Sequence, residues 1–229
     1  VNRSAIADEL ARARSRTLSL VDDLDEADQR AQHSRLMSPL VWDLAHIGNY
    51  EELWLLRELD GRPATDPALD DLYNAFEHPR WERPSLPILG PAEARAYDAA
   101  IRDEVLALLD HVDLDADPGG GGDRHGRLCH DGFVYGMVLQ HEHQHDETML
   151  ATRQLMGERA PAVPGATPTG GGLAITGGAD PPTDLDDEVV LDLGRVVIGT
   201  DDDPWAYDNE RGAHEVELAP FAIDRTPVT

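Results

Sequence analysis

From Ala160 to Asp187 the chain is built from Pro, Gly, Ala, Thr and Asp with almost no large apolar side chain. A stretch of that composition cannot bury a core and reads as a solvated linker, residues 158–187. It divides the 229 residues into one ordinary domain, residues 1–157, and part of a second, residues 188–229.

The first segment carries four amphipathic patterns. Ile6, Leu10, Ala13, Leu18 and Val21 fit one face of a helix from Ser4, as its cap, to about Leu24. Ser38-Pro39 opens a second, running to about Leu59 before Gly61. Pro91 opens a third, with Ala94, Tyr97, Ile101, Val105 and Leu108 in register. Asp117-Pro118 and Gly119 to Gly122 break the chain, and a fourth helix runs from about Gly132 to Met156, ended by Gly157. Four such helices predict an antiparallel bundle. Between the second and third lies an irregular segment, Arg62 to Gly90, long enough to suggest function. After the linker, Val189-Val190-Leu191, Val196-Val197-Ile198 and Val216-Leu218 are short β-like runs. The expected class is α+β, with the runs opening a second domain; a β-rich tail folded over the bundle is the alternative.

Charge excludes several functions. Nineteen basic residues, all Arg, face 45 acidic ones, a formal charge of −26. Without Lys there is no Schiff base and no phosphate-loop lysine. The acidic excess would repel phosphate backbones, which argues against nucleic-acid and anionic-membrane partners. Cys129 stands alone, so no internal disulfide marks an oxidising compartment. No stretch reads as a signal peptide or membrane span, and the expected location is the cytoplasm.

The densest chemical signal is Gln140 to Glu147 on the fourth helix. His141 and His145 lie about 40° apart on one face, whereas His143 points away. Their face also holds Val134, Met137, Val138, Thr148 and Met149, so both imidazoles point into the bundle. Buried rings need partners for both nitrogens, and a metal supplies one for each. The second helix offers His46 on the stripe Trp42, His46, Tyr50, Leu53. Taken alone His46 could be a hydrogen-bonded core residue; beside an inward-facing i, i+4 pair it completes a three-histidine site. Three neutral nitrogens leave coordination positions open, as in reactive rather than structural sites. His33, His78, His111, His125, His130, His143 and His214 read as surface residues.

Two further readings stay open. His141-Glu142-xx-His145 matches the zincin pattern with Glu142 as general base, but it lacks the Gly-xx-His extension and gives His46 no role. Arg80 and Arg83, three residues apart in the long loop, could clamp a small carboxylate or simply pair with surface acids.

Several stretches together resemble the iron-dependent sulfoxide synthases of ergothioneine biosynthesis, the hercynine oxygenases. They are Trp42 to Glu51, Phe133 to Met137, His141 to Leu150 and Pro204 to Arg211. The resemblance implies a DinB-like four-helix domain followed by a formylglycine-generating-enzyme-like (C-type-lectin-like) domain. It implies Fe(II) on His46, His141 and His145. Oxygen would join γ-glutamylcysteine, or cysteine, to the imidazole C2 of hercynine as a sulfoxide. Arg80 and Arg83 map to the thiol-substrate arginines, and Gln144 to a glutamine contacting the histidine-derived substrate. The catalytic tyrosine and the groups that grip the trimethylammonium and carboxylate are expected beyond Thr229, so the expectation for this chain is metal binding without full turnover. Tyr207 and Asp208 receive no catalytic role. The rivals are a zinc-dependent DinB-like thiol transferase or isomerase, and a non-catalytic metal-binding bundle.

Overall fold

A computed structural model of the protein describes residues 2–116, 124–157 and 188–225. The chain divides into two compact units, Val1–Ala166 and Thr167–Thr229. The expected linker and the break at Asp117 to Gly122 lie outside the described residues.

The first unit contains α1 (Arg3–Ser19), α2 (Glu26–Arg30), α3 (Leu40–Glu51), α4 (Pro67–Leu72), α5 (Pro91–Leu109), α6 (Arg124–Cys129) and α7 (Phe133–Leu155). Beyond Glu51 the helical path of α3 continues with π-type hydrogen bonding over Glu52–Leu59. Helix α1 packs on α7, α7 on α3, α3 on α5 and α5 on α1, closing a four-helix ring. The predicted helices are thus present, with shifted ends. Asn2, not Ser4, caps α1, its side chain accepting from the Ser4 amide at 2.8 Å. Pro39 takes the cap position of α3, and the Ser38 hydroxyl instead accepts a hydrogen bond from Arg83 at 2.6 Å. Gly132, expected inside the fourth helix, precedes it in a left-handed conformation that glycine adopts without strain. The long loop is less irregular than expected. It contains α4, capped by Asp66, and a 3-10 turn at Arg83–Ser85.

Two apolar clusters fix α3. Val41, Trp42, Leu44 and Ala45 pack with Leu69, Tyr73, Ile88 and Ala94, which seats the long loop against the bundle. Leu40 and Ile47 pack with Leu20, Val21 and Met149, which seats α7. Gly48 marks a close approach: a Cβ there would stand 2.0 Å from Oδ1 of Asp98 on α5.

The bundle centre is charged. Arg14 of α1 and Arg102 of α5 each bind Glu51 of α3 and Glu142 of α7, over 2.6 to 2.9 Å. Thr17 of α1 lies 2.8 Å from both Glu142 and Asp146. Buried charges persist only when paired and hydrogen-bonded, and these four are. Asp98 is the exception: it is 1% exposed, neither oxygen has a hydrogen-bond partner, and the Arg14 Nη1 stays 3.8 Å away.

In the second unit, β1 (Glu188–Leu191) pairs antiparallel with β4 (Phe221–Asp224), and β2 (Gly194–Ile198) with β3 (His214–Leu218). The pairs are nested in sequence. Strand β4 was not among the expected runs; Phe221-Ala222-Ile223-Asp224 alternates too briefly to stand out. The Pro204 to Arg211 motif folds on itself, Arg211 donating to the carbonyls of Ala206, Asp203 and Pro204. The class is α+β, as the pattern predicts.

Asp98 generates a test. Burial pushes its carboxyl up to about 8, with Glu142 and Glu51 adding to the rise and Arg14 and Arg102 opposing it. The two arginines already balance Glu51 and Glu142, so a neutral Asp98 leaves the cluster uncharged. An unfolded Asp releases its proton near pH 4. Between about pH 4 and 8 the folded chain therefore holds a proton that the unfolded chain has lost, and Asp98's share of stability falls as pH rises through that window. Asp98→Asn should unfold at higher denaturant than the parent at pH 8, with the advantage shrinking by up to about 1.4 kcal/mol per unit toward pH 4. Chemical unfolding of both proteins at four pH values checks this; a variant that is weaker at every pH contradicts it.

Candidate metal centre

His46 and the pair His141/His145 arrive from different helices. Leu40 and Ile47 on one side and Met149 on the other hold α3 against α7, so the two His-bearing faces meet. Ring centroids lie 5.0 Å apart for His46 and His141, 4.8 Å for His46 and His145, and 4.6 Å for His141 and His145. One nitrogen from each ring falls within 4.8 Å of the other two. The three expected ligands therefore stand together.

The second nitrogens are treated unequally. His46 Nδ1 is 2.8 Å from the Tyr73 carbonyl, which fixes that nitrogen as the donor and leaves Nε2 for the centre. His145 Nδ1 is 3.2 Å from Oδ1 of Asp43. The ring of His141 instead stacks on Tyr50, with centroids 3.6 Å apart and planes 12° from parallel. Burial pulls the pKa of His46 down to about 4 and of His141 to about 2, reinforced in both by the neighbouring rings. Both rings are neutral at pH 7, with lone pairs free to bind a cation. Three imidazole nitrogens converging beside a cavity fit a metal that keeps open positions.

That cavity has a volume of about 820 Å³, within the range of small-molecule sites. Its walls include the three histidines, Tyr50, Arg80, Arg83 and Gln144, so every site residue expected from the sequence borders one space. The two arginines differ. Arg80 is exposed and uses one donor on the Leu36 carbonyl at 2.8 Å. Arg83 is 5% exposed; it donates to the carbonyls of His78 and Ala75 and to Ser38, and its guanidinium carbon lies 3.5 Å over the Trp42 ring. Burial lowers its pKa to about 10, with Asp43 opposing and Arg80 assisting, so it remains cationic at pH 7.

Sequence reasoning missed Asp43 and Tyr73. Asp43 is a carboxylate in a wholly apolar stretch of α3, a signal that was legible; the Tyr73 carbonyl is backbone and carries none. His143 pairs with Asp146 at 3.3 Å, away from the triad, as its helical phase required. The protease pattern is displaced outright. Glu142 is fully buried, with Arg14 and Thr17 on one oxygen and Arg102 on the other. Burial raises its pKa, but the two arginines and Thr17 outweigh that and hold it below the ordinary value, the opposite of what a base near neutrality requires.

The sequence profile of the DinB superfamily matches residues 9–149. The chain belongs to the DinB superfamily. Curated relatives named hercynine oxygenase were found in three mycobacteria. That of Mycolicibacterium thermoresistibile is 45% identical over the whole chain, and that of Mycolicibacterium smegmatis 43% identical over the whole chain. The Mycobacterium tuberculosis protein is 44% identical over 98% of it. The chain spans 47% to 49% of these relatives' lengths, about half. No helix among the described residues is long and apolar enough to cross a membrane.

Two outcomes check this site. His46→Ala should lose bound metal by at least about tenfold, read by equilibrium dialysis and elemental analysis; full retention would remove the two-helix centre. Glu142→Ala should lower the unfolding free energy by about 3–5 kcal/mol, because two buried guanidinium groups lose a partner. A stable Glu142→Ala protein would argue for a chemical role instead.

Proposed function

We propose that this chain forms the metal- and thiol-binding half of an oxygenase that joins a cysteine-type thiol to hercynine in ergothioneine biosynthesis. The observation that carries the reading is the convergence of His46, His141 and His145 on a cavity that also contains two arginines. The relatives named hercynine oxygenase, similar over essentially this whole chain, supply the reaction class.

His46, His141 and His145 would hold Fe(II). When bound, the iron would supply redox chemistry with oxygen, and its neutral ligand set leaves positions open for co-substrates. The chain's own residues do the rest. The Tyr73 carbonyl and Asp43 fix which nitrogens of His46 and His145 face the centre. Arg80 and the free N–H groups of Arg83 take the carboxylate of γ-glutamylcysteine or cysteine, in a protein otherwise too acidic to attract an anion. Gln144, one residue before His145, borders the same space and contacts hercynine. Holding both substrates there makes the encounter intramolecular. The β unit is read as part of a formylglycine-generating-enzyme-like domain, and the proposed location is the cytoplasm.

Loading the chain with Co(II) and adding γ-glutamylcysteine tests this reading. A thiolate charge-transfer band should appear, weaken about tenfold or more in apparent affinity in Arg80→Gln, and vanish in His46→Ala. Absence of the band with metal bound would oppose it. Zinc at full occupancy, with no oxygen uptake under Fe(II), hercynine and any thiol, would favour the transferase.

A further inference from the structure

Arg83 entered as a substrate clamp, yet most of its contacts are with the protein. Three of its five N–H groups bind Ser38 Oγ, the His78 carbonyl and the Ala75 carbonyl. Its guanidinium carbon lies over the fully buried indole of Trp42, 3.5 Å from the centroid. That indole in turn stacks on His46, with centroids 4.7 Å apart and planes 16° from parallel. Guanidinium, indole and imidazole thus form a contiguous series of flat groups ending on a metal ligand. Trp42 and His46 are one helical turn apart on α3, so the backbone sets their spacing and the stack sets their planes. Arg80, three residues before Arg83 and exposed, is held instead by the Leu36 carbonyl.

We infer that Arg83 is a positioning residue for His46, acting through Trp42 to fix the imidazole plane and to place a permanent positive charge behind the ligand set. The inference rests on the metal reading above but not on the oxygenase reaction. A planar fork is required: lysine keeps the charge but neither stacks nor binds three acceptors at once. Asp43 of α3 and Arg80 of the loop are the charged groups that act on Arg83. Ser38, on the segment before α3, anchors it by accepting a hydrogen bond at 2.6 Å.

The test uses Co(II) alone, with no thiol present, on the full chain. Arg83→Lys should weaken Co(II) binding about tenfold or more and alter the visible ligand-field spectrum, while Arg80→Gln changes neither. Ser38→Ala removes one anchor without touching the cavity and should shift the spectrum in the same direction by a smaller amount, which keeps the idea testable if Arg83→Lys fails to fold. Unchanged Co(II) affinity and spectrum in folded Arg83→Lys, with only thiol binding lost, would overturn the inference and leave the substrate clamp standing. A parent chain that binds no Co(II) would remove the metal reading and this one together.

Discussion

The clasp made by Arg14 and Arg102 on Glu51 and Glu142 governs the rest of the bundle. Each arginine reaches both carboxylates, so α1 and α5 tie α3 to α7 from either side. The three converging histidines ride on those same two helices. His141 immediately precedes Glu142, and His46 stands five residues before Glu51. With a helical period of 3.6, consecutive residues diverge by about 100°, so α7 sends one side chain into the clasp and the next into the metal cavity. The clasp therefore stabilises an arrangement that three converging imidazoles could not hold unaided. Apolar packing would allow α7 to slide or rotate; four paired charges in a low-dielectric interior admit one register.

That division of labour explains why Glu142 misleads as a sequence element. In the zincin pattern its spacing from two histidines is read as a catalytic property. Here spacing decides only that Glu142 and the histidines occupy different faces. What lies opposite each face is set by α1 and α5, which are remote in sequence.

The sequence made some parts of the molecule legible because they depend on local periodicity. The stripes of α1, α3, α5 and α7, the inward phase of His141 and His145, and the outward phase of His143 all follow from 3.6-residue spacing. His46 became persuasive through its place on a buried stripe beside Trp42 and Tyr50. Helix ends were less legible because competing partners move them: Ser38 has cap chemistry, but Arg83, 45 positions away, takes its hydroxyl. Asp98 offers no signal at all. Its position on α5 looks solvated until Gly48 permits the two helices to approach so closely that the carboxyl is enclosed. The Tyr73 carbonyl belongs to the same silent class, since any residue there would present it.

The charge balance at the centre gives these observations a direction. The histidine set contributes no negative charge, so a divalent cation held there keeps most of its charge; Asp43 stands behind His145, and Asp70 lines the same cavity but is paired with Arg57. On the proposed reading the missing anion is the substrate thiolate, and Arg80 completes the match by donating to the carboxylate at its other end. A carboxylate ligand in place of any one histidine would have satisfied the metal more fully and made a thiolate less welcome. On the inference drawn above, the arginine behind Trp42 works in the same sense: a fixed positive charge beside neutral ligands raises the demand for an anionic partner, while its contact with the indole keeps His46 aimed at the place where that partner would meet the metal.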